Sequence, residues 1–188
     1  MTYGCLRLSA IKINAAEPRI KGSSPGSKFF GDPVVPYGWQ EMFSDDVIFF
    51  AQIKLSDIAL LDTENKLPHI GYFYLFLDAE MYPYQAMAYY YGGEPNTVID
   101  DFNAVEPRFA HLTEEWLMSF EPCDDTCEGT RLFGCVQSGC CENGEVLLQF
   151  DPIENETGLL DSIDGYVYFL FGEDGRDIDG ISFFIDRS

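Results

Sequence analysis

The residues most able to do chemistry are cysteines. Cys123, Cys127, Cys135, Cys140 and Cys141 fall within 19 residues, in the pattern C-x3-C-x7-C-x4-C-C. A structural zinc ion takes four thiolate or imidazole ligands in a tetrahedron, usually from two short knuckles. Cys123 and Cys127 offer one pair; Cys135 with Cys140 or Cys141 offers a looser second. Gly129, Gly134 and Gly139 would let such a loop bend, and Asp124, Asp125 and Glu128 would favour a cation. The spacing is not that of two C-x2-C knuckles. Redox or disulfide chemistry is a second reading, and free thiols packed as small apolar groups a third. The expectation is no cofactor; the metal set that would contest it is Cys123, Cys127, Cys135 and Cys140 around zinc.

Other constellations point to less. A Cys or Ser nucleophile needs a base, most often histidine, and only His69 and His111 are available. Gly22-Ser23-Ser24-Pro25-Gly26 matches G-x-S-x-G by letter. The oxyanion hole of that motif uses the N–H after the serine, which Pro25 lacks. Asp45/Asp46, Asp100/Asp101, Asp124/Asp125 and Glu173/Asp174 are adjacent carboxylates, and neighbours on a strand point to opposite faces. Gly175 to Gly180 with Asp186 imitates a calcium loop. It has glycine at the first ligand position and a short aspartate at the last. Nucleotide-binding glycine motifs are absent. Tyr82, Tyr84, Tyr89, Tyr90 and Tyr91 could line a groove or a partner-binding face, since tyrosine offers apolar area and a polar tip.

Charge narrows the partners. The 188 residues carry 32 acids against 11 bases, a net charge of −21. That field repels nucleic-acid phosphates and anionic membranes and allows a basic protein partner or a cation. No run approaches the ~20 apolar residues of a membrane-crossing helix. Met1 to Ala16 lacks the basic-then-apolar order of a signal peptide. A cytoplasmic protein with reduced thiols is expected.

The elements that must position these groups are mostly strands. Apolar residues make up 46% and aromatics 15% of the chain, and aromatic runs favour sheets. Cys5 to Ile13, Val47 to Leu55, Gly71 to Leu77, Val146 to Phe150, Gly165 to Phe171 and Ile181 to Ile185 read as strands. Gln85 to Tyr91 and Thr97 to Asp100 are weaker candidates. Ala15 to Ser27 reads as a loop. Ser56 could cap a short helix, and Thr113 to Phe120 reads as a helix of about two turns, with Thr113 as N-cap and two glutamates at its positive end.

The two halves of the chain echo each other. Lys28-Phe29-Phe30-Gly31 matches Arg131-Leu132-Phe133-Gly134. Phe49 to Ile53 matches Leu147 to Phe150 with one residue missing. Gly71-Tyr72-Phe73-Tyr74 matches Gly165-Tyr166-Val167-Tyr168. The order is shared, which points to an internal duplication with half-repeats at about 28–100 and 131–188 inside one domain of residues 1–188. Gln52 and Gln149 sit at matching places within apolar strands. Each either bridges neighbouring backbone or lines a cleft between the halves as a candidate binding residue.

These segments resemble the YwqG-like family of uncharacterised proteins. SKFFGDPVVPYGW, FFAQIKLSDI, GYFYLFLD, RLFG and LLQFDP occur in that family's order, across most of Ser27 to Ser188. Phe30 stands where the family usually has glycine. The resemblance implies a compact, mainly antiparallel sheet with internal duplication and brings no established activity, so no catalytic residue is carried over. The fold expected is α+β, mostly antiparallel, with two related β-rich halves and a few short helices. The function expected is a non-enzymatic binding protein that meets a basic protein partner through an acidic, Tyr-rich surface. The alternative is a metal- or small-ligand-binding protein, enzymatic or not, with zinc at the Cys123–Cys141 loop or a ligand in a cleft between the halves.

Overall fold

The computed structural model describes residues 9–16, 23–105, 112–136, 145–152, 166–172 and 177–186. Among the described residues twelve strands follow one another: β1 Ala10–Ala15, β2 Lys28–Phe29, β3 Val34–Val35, β4 Val47–Lys54, β5 Tyr72–Asp78, β6 Gln85–Tyr91, β7 Thr97–Val98, β8 Trp116–Cys123, β9 Arg131–Leu132, β10 Val146–Phe150, β11 Val167–Leu170 and β12 Ser182–Ile185. Ten form one sheet in the order β12-β11-β10-β9-β1-β8-β2-β4-β5-β6, and β3 pairs with β7 separately. Every pairing is antiparallel. The end strands β6 and β12 approach each other, so the sheet curls into a nearly closed barrel.

This corrects the α+β expectation. The protein is nearly all β, and no helix among the described residues reaches seven residues. Trp39–Glu41, Leu55–Asp57 and Phe102–Ala104 are single 3-10 turns. Thr113 to Phe120 is not a helix, because Trp116–Cys123 is a strand. Trp116, Met118 and Phe120 pack on the core, a period of two that suits a strand and not a helix. The strand sits mid-sheet, bonded to β1 on one side and β2 on the other. Two long-range ladders outweigh the local preference of three cap-like residues. Ser56 caps nothing; the turn it occupies has no side-chain cap, and Asp57 instead accepts the Ser27 hydroxyl at 2.7 Å.

The barrel interior is filled by rings. Phe29, Phe30, Phe50, Phe150 and Phe169 are all buried, with centroids 4.8–6.1 Å apart. These mostly edge-to-face pairs each contribute about 0.5–1.5 kcal/mol beyond burial. A second layer lies on the outer face of β4 and β5, where Val47, Phe49, Tyr72, Tyr74 and Phe76 are covered by Val35, Trp39, Phe43 and Phe102. Buried on both faces, β4 and β5 read as apolar runs with Gln52 as the one polar residue in their interior. β4 contains a bulge between Phe49 and Ala51, and β10 one between Val146 and Leu148. The extra residue shifts the inward–outward alternation. Gln52 and Gln149 thereby come to lie opposite Lys28 and Arg131 in their ladders.

The strand order is palindromic. Exchanging β1 with β8, β2 with β9, β4 with β10, β5 with β11 and β6 with β12 reverses the sequence of the sheet onto itself. Local bonds match as well. Gln52 donates to Gly26 O at 3.0 Å, and Gln149 to Gly129 O at 2.7 Å. The Ser27 hydroxyl accepts the Lys54 N–H at 2.9 Å, and Thr130 accepts that of Asp151 at 3.0 Å. Phe30 N–H reaches Phe50 O, and Phe133 N–H reaches Leu147 O. Phe30 (φ 50°) and Phe133 (φ 64°) both take the left-handed conformation, each followed by a left-handed glycine. A side chain there is strained by about 1–3 kcal/mol, and burial of each phenyl ring offsets the cost. A Cβ at Gly31 would come within 2.8 Å of the Glu115 side chain, so that turn also needs the missing side chain.

Candidate functional site

Each half buries a cation on its short strand, and the two are satisfied differently. Lys28 is fully buried, 3.1 Å from the Glu115 carboxylate and 2.6 Å from Asp32 O. Burial pushes its ammonium below the usual lysine range, while Glu115 opposes the shift. Arg131 is equally buried and donates to carbonyls: Cys127 O at 3.0 Å, Phe133 O and Cys135 O, with the Gln149 amide oxygen at 2.9 Å. Burial lowers its pKa too. Both cations stitch a left-handed loop to the sheet. They were not singled out from the sequence; the signal was there in the matched Gly-Ser/Thr-Lys/Arg triplet, because a basic residue followed by two buried apolar residues in both halves needs partners.

Gln52 and Gln149 belong to this stitching. Gln52 also accepts the Val34 N–H at 3.0 Å. Each amide bonds the loop of its own half.

The clustered cysteines are drawn together only in part. Cys123 and Cys127 form a disulfide, and Cys135 is an exposed free thiol. Cys140 and Cys141 lie outside the described residues. A sulfur in a disulfide is not a thiolate ligand, and among the described residues no group of three His, Cys, Asp or Glu is placed to hold a metal. The bridge also departs from the expected reduced thiols.

The remaining candidates separate. His69 Nε2 lies 3.5 Å from Asp62 Oδ2 and has no hydrogen-bond partner; His111 lies outside the described residues. Ser24 accepts the Gly26 N–H at 3.1 Å as part of a turn, and its own N–H donates to Glu115. Asp124 accepts the N–H and hydroxyl of Thr126, both at 2.9 Å, which hold its carboxyl below the usual range, and Asp125 accepts the Ser9 hydroxyl. Asp32 is shifted upward by burial. Gly175 and Arg176 of the calcium-like loop, and the neighbouring pair Glu173/Asp174, lie outside the described residues. The Ile181 stretch after them is strand β12, not the start of a helix.

The five tyrosines do not share one surface. Tyr89 and Tyr91 pack beneath Trp39 on the outer layer. Tyr84 packs on the barrel core beside Phe183, at 6.2 Å. Tyr90 is 41% and Tyr82 69% exposed. Tyr82 borders a groove of about 480 Å³ at the seam between β6 and β12, walled by Met81 to Ala86 on one side and Ile181 to Phe183 on the other. Met81 is also exposed, at 76%. No spacing rule could have found this groove, because its walls lie about a hundred residues apart and meet only when the sheet curls.

Comparison with protein-family models, with curated proteins and with solved structures gives no match. Among the described residues no helix is long and apolar enough to cross a membrane.

Proposed function

We propose that the protein is a binding module for a positively charged protein partner. One observation carries the reading. From Leu67 to Pro107 the chain holds six acids and no lysine or arginine. That stretch supplies β5, β6 and β7, with Met81 and Tyr82 exposed among the acids. A one-signed field with exposed apolar contacts steers an oppositely charged partner and then holds it. The echo between the halves supports reading the chain as a duplicated unit. The resemblance to the YwqG-like family belongs to the same proposal and adds no activity. The setting proposed is cytoplasmic; the Cys123–Cys127 disulfide does not support that part of the proposal, because thiols there are kept reduced.

The test is affinity capture at low ionic strength, followed by titration of each captured protein across a salt series. Affinity that falls steeply as salt approaches about 0.5 M, where screening is strong, is expected. Partners that are acidic, or whose affinity ignores salt, would overturn the proposal.

A further inference from the structure

We propose that the seam between β6 and β12 is the docking site for an extended, lysine- or arginine-bearing segment of the partner, added as a strand; this rests on the partner-binding reading above. β6 and β12 are the two ends of the ten-stranded order, so each bonds one neighbouring strand of the sheet and leaves its other margin facing the seam. Because strand direction alternates along the sheet, β6 and β12 run antiparallel to each other. The groove touches the start of both, Gln85 and Ala86 of β6 and Ser182 and Phe183 of β12. Antiparallel strands that meet at their starts run away from each other. A length of each margin therefore lies beyond the meeting point. A strand margin beside an apolar groove is the geometry of β-strand addition, in which backbone bonds give affinity and alternate side chains enter pockets.

The walls state the chemistry of the occupant. Met81, Tyr82, Pro83, Tyr84 and Phe183 suit apolar side chains at every second position of an extended chain. In sequence, Asp78 and Glu80 immediately precede one wall, and Asp177 and Asp179 precede the other. Residues 67–107, which supply the first wall, contain no lysine or arginine, and the second wall at 181–183 follows Asp177 and Asp179, with Arg176 and Arg187 bounding that stretch. The intervening side chains of the occupant are thereby selected as cationic. A second copy of this chain is disfavoured, since each copy carries −21.

The probe is a fluorescein-labelled peptide of about eight residues, one strand's length, alternating lysine with valine or leucine. It is titrated against the full chain by anisotropy at low salt. Comparators are the same peptide with glutamate for lysine, and with N-methyl groups on alternate amides. The protein variant combines Glu80→Lys with Met81→Lys, both at exposed positions; its fold is checked by circular dichroism and urea midpoint. The wild type is expected to bind the lysine peptide, and the variant to bind about tenfold more weakly. The glutamate and N-methyl peptides are expected to lose at least as much. Binding by the folded variant that equals wild type would overturn the groove, while the basic-partner reading would stand. Undiminished binding of the N-methyl peptide would overturn strand addition. If the wild type ignores the lysine peptide yet captures basic proteins, the docking site fails alone; if it does neither, both proposals fail.

Discussion

Replacing Arg131 by lysine should destabilise the fold by about 3 kcal/mol, and the other half of the molecule says how to repair it. The guanidinium fork serves four acceptors, of which Phe133 O and the Gln149 amide oxygen are in buried bonds. Leaving a buried acceptor unpaired costs about 1–3 kcal/mol, so two cost about 2–6. A lysine still carries the desolvation penalty of a buried ion and has no fork to spread over the same acceptors. At the matching place Lys28 is tolerated because Glu115 stands 3.1 Å away. Lys28 pairs with Leu117 and Arg131 with Lys12, so the residue equivalent to Glu115 is Ala10, which offers no carboxylate. Arg131→Lys alone should lower the urea midpoint by about 1.5 M, for a slope of about 2 kcal/mol/M. Adding Ala10→Glu should recover stability in the Arg131→Lys background and cost stability in an Arg131→Met background, where the new carboxylate is buried without a cation. A double-mutant coupling above about 1 kcal/mol is expected. An Arg131→Lys protein within about 0.5 kcal/mol of wild type, or an Ala10→Glu effect indifferent to residue 131, would refute the argument.

Four further outcomes follow from titration, packing and the disulfide. The Tyr72 hydroxyl, raised to about 12 chiefly by burial and next by its 2.9 Å bond to Glu94, holds its proton after the unfolded tyrosine near pH 10 has lost it. Its contribution is therefore full below pH 10 and lost between pH 10 and about 12, and Tyr72→Phe should flatten that part of an alkaline stability profile; an unchanged slope would count against the assignment. Phe50→Ala opens the barrel centre, where Phe50 meets four other phenyl rings. It should cost about 3–5 kcal/mol, and a calorimetric loss under about 1 kcal/mol would show that the interior collapses around the gap. Reducing the Cys123–Cys127 bridge, whose residues are separated by 4, should cost no more than about 2 kcal/mol on loop entropy. Oxidised protein should contain far less than one zinc per chain by elemental analysis; a stoichiometric metal would overturn the disulfide assignment.

β4 and β5 were legible because both are buried on both faces and so appear as apolar runs, interrupted inside β4 by Gln52 alone. Two-residue strands are not legible from periodicity, and β2 and β9 could be traced only through the echo between Lys28–Gly31 and Arg131–Gly134. β8 was misread because Thr113, Glu114 and Glu115 imitate a helix start, while what decides its conformation is pairing with β1 and β2, both distant in sequence. Glu115 is in fact the counter-ion of Lys28. Gln52 and Gln149 were recognisable as polar groups needing partners, but not which loop would supply them. The seam depends on a meeting of distant strands that composition does not encode, whereas Cys123 and Cys127 lie four residues apart and were visible as a pair, with spacing alone leaving metal, disulfide and free thiols open.

The interchange of β1 and β8 has a consequence for synthesis. β1 lies beyond the centre of the sheet, between β8 and β9, and its residue Ile11 faces Pro122 and Leu132. Both neighbours are made more than a hundred residues later, so at about 5–20 residues per second the first strand leaves the ribosome with nothing to pair with for about 5–20 s. The leading half cannot complete its own sheet as it emerges. Its buried lysine must likewise wait for a glutamate contributed by the trailing half, so the ribosome releases the two halves as mutual dependants.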